Sequence, residues 1–232
     1  MIAAVYDFDW KTAERQFALA MAREMAPPYV RAYYAFYLVF VGRLQEACTQ
    51  CERGLRNDPL SLLVRLHYAI ALLAGGRDAA GEAQLRELSA FYPNLYQSFY
   101  LLGVSQGLQG LHADALATAE TAWSLAPWNT GVTGLLAGAL ACTGQAQRAQ
   151  GLLQELARVD RYGTPLGRLI YHLVCEEIDE AAQWGRKVLE QRDPRLTTII
   201  ALLRSPSRNV IRSNGSWSSL TRFLRVPLEF ER

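Results

Sequence analysis

Small side chains recur along this chain at a fixed spacing, with apolar positions falling around them at helical intervals. A frame started at residue 28 and restarted at 62, 96, 130 and 163 makes the pattern plain. Position 8 then reads Ala35, Ala69, Gly103, Ala137 and Ile170, and position 20 reads Ala47, Gly81, Ala115, Ala149 and Ala182. Position 15 reads Gly42, Gly76, Gly110, Gly144 and then Glu177; glycine there supplies the left-handed conformation that ends a helix. Pro59, Pro93 and Pro127 recur every 34 residues, and Pro194 follows two frames later with Arg161 between. This pattern predicts five helix–turn–helix repeats over 28–194, their paired helices drawn together by small residues.

The flanks follow the same logic. Within residues 1–27, Trp10, Ala13, Phe17 and Ala20 fit positions 17, 20, 24 and 27, a second helix without its first, capped by Asp7 or Asp9. A half repeat cannot bury its apolar face without a neighbour, so the chain is expected to start inside a solenoid, as part of a longer protein or in a shortened frame. Residues 195–203 are apolar enough for one capping helix. Residues 204–232 form an Arg/Ser-rich tail, a loop from Ser205 to Ser219 overlapping a short amphipathic helix over 217–224 that turns Trp217, Leu220, Phe223 and Leu224 one way.

The stretch Tyr96–Pro127 carries the frame best. Its Phe99, Leu102, Gly103, Ala115 and Pro127 fall on the spacing W-x2-L-G-x2-Y…A-x3-F…P, with Gln106 and Ala119 replacing the two remaining aromatics. The chain thus resembles the tetratricopeptide repeat family. The resemblance implies an all-α fold, a right-handed superhelix (α-solenoid) of about five repeats with an N-terminal half repeat and a C-terminal capping helix. The runs YDFDWKTAERQFALAMA, GRLQEACTQCERGLRNDPLSLLV and EAAQWGRKVLEQRDP are similar to the tetratricopeptide regions of bacterial multidomain signalling proteins. Those regions accompany winged-helix, Ser/Thr kinase or adenylate cyclase domains, none of which is in this sequence. Arg204-Ser205-Pro206 loosely retains the motif that follows the last repeat there. This second resemblance implies a regulatory or sensory interaction module.

Composition narrows the class without changing it. Half the residues are hydrophobic and a fifth charged, as in a globular protein. The net charge of +2 gives no footprint for nucleic acid or an anionic membrane, although the tail from Leu203 onward sets six Arg against Glu229 and Glu231. No stretch has the ~18–20 uninterrupted apolar residues of a membrane span, and the N-terminus lacks the basic start of a signal peptide. Four cysteines outside any small-domain framework fit a reducing compartment, so a cytoplasmic protein is expected and the sequon at Asn214 has no consequence.

Chemistry-bearing residues are sparse. Cys48 and Cys51 form a C-x-x-C without the second pair that structural zinc needs, and they fit a helix core. Cys142 and Cys175 occupy one position in successive repeats, where stacked helices ordinarily lie about 8–10 Å apart, beyond the ~7 Å reach of a disulfide. Cys175 and His172 make at most half of a metal site. His67, His112 and His172 are scattered, and no P-loop, G-x-S-x-G or H-E-x-x-H pattern occurs. The expectation is a non-enzymatic protein with no cofactor and no metal.

The informative surface is the concave one, lined in this fold by positions 2, 5, 9 and 12 of each first helix. Tyr29, Phe36, Phe40, Leu63, Leu66, Ile70, Leu73, Tyr100 and Val104 form the candidate partner-binding groove. Gly131, Gly134 and Gly138 are expected to leave it narrow-sided or floored with glycine toward the fourth repeat, and Gly167 lines the fifth. Ala32, Phe36, Leu66 and Ile70 stand where chaperone-binding relatives place a carboxylate clamp, which disfavours that use. Position 5 reads Ala, Leu, Tyr, Gly, Gly, unlike an RNA code. An apolar groove suits an amphipathic helix or apolar peptide, so the chain is read as a protein-interaction scaffold with a protein or peptide partner. The alternatives are a homo-oligomerisation module whose groove is self-covered and, more weakly, nucleic-acid contact through the Arg-rich tail.

Overall fold

In the computed structural model, residues 3, 9–22, 26–158, 162–208, 214–216 and 218 are described. Among them run twelve α-helices and no strand: α1 (Trp10–Met21), α2 (Pro28–Phe40), α3 (Leu44–Asn57), α4 (Leu62–Ala74), α5 (Asp78–Phe91), α6 (Tyr96–Leu108), α7 (His112–Leu125), α8 (Thr130–Cys142), α9 (Ala146–Arg158), α10 (Thr164–Val174), α11 (Ile178–Glu190) and α12 (Arg195–Leu203). A 3₁₀ turn spans Pro206–Arg208. The chain is all-α, with helix pairs repeating at tetratricopeptide spacing, the α-solenoid class. The helix expected over 217–224 lies, Ser218 apart, outside the described residues.

The turn glycines explain where the helices break. Gly42, Gly76, Gly110 and Gly144 have φ of 81°, 75°, 74° and 81°, a region that costs residues with a Cβ. At the turn between the two helices of the last repeat the left-handed residue is Glu176 (φ 60°) and not Glu177, the residue at the turn position of the sequence frame. α10 is two residues shorter than the first helices before it, so the chain reaches its turn early.

The helices fall into two compact units. The first comprises the described residues within 1–88 and 197–208. Here Asp9 caps α1, accepting from the Thr12 amide at 3.0 Å. α1 sets Trp10 against Phe40 (5.8 Å between ring centroids) and Phe17 against Tyr34 and Tyr37 (5.3 Å each). Tyr37 donates its hydroxyl to the Trp10 carbonyl at 3.3 Å. The half repeat thus buries its apolar face on α2, leaving Leu19 outside at 69% exposure. Ala35 and Ala47 are fully buried, and a Cβ on Gly81 would lie 2.6 Å from Leu73 Cγ, so small residues do set the spacing of paired helices.

The second unit comprises the described residues within 89–196 and 214–218. Asn129 caps α8, accepting from the amides of Gly131 and Val132 at 3.0 and 3.2 Å while its own amide donates to the Tyr96 hydroxyl at 3.1 Å. A Cβ on Gly103 would lie 2.8 Å from Leu135. At the end of the last repeat the buried Asp193 carboxylate accepts from the Arg195 guanidinium at 2.5–3.2 Å, which compensates its desolvation.

Candidate functional site

The nine groove positions divide between the units: Tyr29, Phe36, Phe40, Leu63, Leu66, Ile70 and Leu73 belong to the first, Tyr100 and Val104 to the second. In the first unit Tyr29 is exposed and Leu63 and Leu66 are half-buried. Phe36 (7%), Phe40 (1%), Ile70 (3%) and Leu73 (0%) are buried. Phe36 meets Phe40 edge-on at 4.9 Å and stacks on the His67 ring at 4.8 Å.

In the same unit lies 197–208, more than a hundred residues later in the chain. Thr197, Ile199, Ile200, Ala201, Leu202 and Leu203 are all buried, which closes off nearly the whole circumference of α12. A helix apolar all round needs cover on every side. The polar residues that follow sit on the turns of the first two repeats. Arg204 lies against Gly42, Ser205 and Pro206 lie against Gly76, and Arg208, 2% exposed at its side chain, pairs with Asp78 at 3.2 Å. The motif Arg204-Ser205-Pro206 therefore holds the end of α12 to the glycine turns. Side chains there would collide: a Cβ on Gly76 would stand 3.0 Å from Pro206 Cδ.

His67 shows how dry this face is. It is buried with Nδ1 unpartnered, and burial pulls its pKa down to about 4, so the folded state holds it neutral. The unfolded state takes up a proton near the ordinary value, hence stability should fall with pH between about 6.5 and 4 by roughly 3 kcal/mol. Urea unfolding at pH 7 and 5 should show that His67→Phe, which keeps the stack on Phe36, loses a measurable part of this slope. An unchanged slope would locate the acid sensitivity elsewhere.

In the second unit Val104 is buried, and Tyr100 is half-buried with its hydroxyl enclosed and unpartnered; desolvation raises its pKa. Gly131, Gly134, Gly138 and Gly167 are all buried; the last three form a contact between α8 and α10, while a Cβ on Gly131 would lie 2.8 Å from the Tyr100 hydroxyl. A Cβ on Gly134 would be 2.6 Å from the Gly167 carbonyl carbon and closer still to its oxygen, and one on Gly167 would be 2.5 Å from the Thr130 oxygen. Thr130 donates to the Gly163 carbonyl at 2.6 Å beside them. This backbone-to-backbone approach overturns the spacing expected for Cys142 and Cys175, whose sulfurs are 3.7 Å apart.

One open apolar recess escaped the sequence reading. It has a volume of about 500 Å³ between α7, α8 and α9, lined by Trp123, Leu136, Leu140 and Leu152, with the Glu120–Arg148 pair (3.2 Å) also on its wall. Gly151 on α9 adds no side chain, and nothing lies within 4 Å of where its Cβ would be. Among the described residues no three His, Cys, Asp or Glu gather as metal ligands, and no helix is long and apolar enough to cross a membrane.

No family model matches the chain, and no curated protein matches it. Among solved structures it is similar to MamA (17% identity, 80% of this chain and 96% of that one, TM-score 0.47). It is also similar to Naa15/Naa10 bound to HypK (15%, 94% and 34%, 0.45) and to a tetratricopeptide repeat protein from Parabacteroides merdae (16%, 88% and 96%, 0.38). Scores below 0.5 leave these as likenesses of helical-repeat architecture.

Proposed function

We propose that the chain is a non-enzymatic protein-interaction scaffold, a cytoplasmic regulatory or sensory module of a bacterial signalling protein, whose first-helix face in the first unit takes an amphipathic helix. One observation carries this reading: the first-helix positions of that unit, Phe36, Leu63, Leu66, Ile70 and Leu73, are apolar throughout. An apolar first-helix face has the chemistry to accept the apolar side of an amphipathic helix. The signalling context rests on the sequence resemblance.

A second reading is favoured by the recess around Trp123. If α12 closes the first-helix face permanently, an apolar anchor of a protein partner docks there instead, against Trp123 and Leu152, since aromatic-lined recesses are where interface anchors concentrate. Affinity capture separates the two. Leu66→Asp, at a half-buried position, should abolish capture of a specific protein under the first reading and leave it intact under the second; Trp123→Asp should do the reverse. Both variants must keep their helical circular dichroism. Capture unchanged by either one would reject both readings.

A further inference from the structure

We infer that Cys142 and Cys175 form a modification site, a thiol pair that an oxidising small disulfide converts to an intramolecular disulfide. The geometry is specific. Cys142 is the last residue of α8 and Cys175 follows the last turn of α10, both half-buried, with sulfurs 3.7 Å apart. Cys142 also approaches the Val174 carbonyl at 3.6 Å, and Cys175 the Gly138 carbonyl at 4.0 Å. A disulfide needs about 2.05 Å between sulfurs, a closure of under ~2 Å that rotation about the Cα–Cβ bonds supplies. Neighbouring first helices in a repeat stack are ordinarily too far apart for this. Here the glycines at 134, 138 and 167 remove the side chains that would hold α8 and α10 apart.

The remaining cysteines make an internal contrast. Cys48 and Cys51 share one helix and are 5% and 0% exposed. Burial pushes the thiols at 142 and 175 up as well, that of Cys175 to about 12, so both rest in the unreactive thiol form. That suits a pair that stays reduced until the disulfide pool rises, as reversible disulfides in reducing compartments do.

The chemistry balances with glutathione disulfide as oxidant. One cysteine loses its proton and its sulfur attacks a glutathione sulfur; the glutathione S–S bond breaks and one glutathione thiol leaves with that proton. The second cysteine then attacks the mixed disulfide at the protein sulfur, forming Sγ–Sγ and releasing the second glutathione thiol. Two protein thiols lose two electrons and two protons, and one glutathione disulfide becomes two thiols.

The test treats the full folded chain with glutathione disulfide, alkylates the remaining thiols and maps peptides without reduction. The expected result is a cross-link joining the Cys142 and Cys175 peptides, reversed by dithiothreitol, with Cys48 and Cys51 alkylated only after denaturation. Closing this loop should raise the melting midpoint by roughly 5 °C or more. Cys175→Ser should stop at a mixed disulfide on Cys142. Three results would overturn the proposal: wild type arrested at the mixed disulfide, a cross-link involving Cys48 or Cys51, or folded protein that does not react although the unfolded chain does.

Discussion

Gly134→Ala should destabilise the second unit by on the order of 3 kcal/mol, while the same change at Gly151 should stabilise it by about 0.5–1 kcal/mol. Both glycines lie inside helices, where alanine is intrinsically preferred by up to about 1 kcal/mol. Surroundings reverse the sign at Gly134. Its new Cβ would sit within the Gly167 carbonyl, a backbone group that can move only with α10, and overpacking against backbone overwhelms the helix preference. At Gly151 nothing lies within 4 Å, so the entropy term stands alone. Denaturant midpoints of the two variants measure the contrast. Equal shifts of one sign would mean that α8 and α10 do not meet backbone to backbone. Gly134→Ala should also prevent the Cys142–Cys175 cross-link, because it forces apart the two helices that carry those thiols.

Phe40→Ala should cost about 3–5 kcal/mol, as for other large aromatics removed from well-packed cores. Phe40 is 1% exposed, stacks with Trp10 at 5.8 Å and meets Phe36 edge-on at 4.9 Å, so its loss opens a cavity that joins the half repeat to the first full repeat. Tyr29→Ala, at a 58% exposed position of the same column set, should stay within ~0.5 kcal/mol of wild type. Chemical denaturation with circular dichroism reads both. A near-neutral Phe40→Ala would mean that this face is open in solution, and that Phe40 serves a partner more than the fold.

What could be read in the sequence was local. Gly42, Gly76, Gly110 and Gly144 each announce a turn through their own backbone needs, and Ala35, Ala47 and Gly81 announce close helix pairs through size alone. The burial of Phe36, Ile70 and Leu73 was not legible, because the frame assigns them to the concave face and does not say what packs on it. Gly131, Gly134 and Gly138 were ambiguous for another reason. A glycine stripe floors a groove or receives a neighbour equally well, and only what stands opposite decides which: Tyr100 at Gly131, Gly167 at Gly134 and Val174 at Gly138. Glu176 escaped because nothing in a charged side chain signals a left-handed backbone. The recess at Trp123 was not legible because it is formed by residues of three helices, with Gly151 adding no side chain to its wall.

The return of residues 197–208 to the first unit sets an order of events during synthesis. The first unit has most of its residues once Leu88 has left the ribosome, yet its last pieces begin at Thr197. At about 5–20 residues per second the intervening chain takes roughly 5–20 s to make, far longer than helices need to form. Throughout that interval the turns at Gly42 and Gly76 stand without Arg204, Ser205 and Pro206, which lie against them in the finished protein, and Asp78 waits for Arg208.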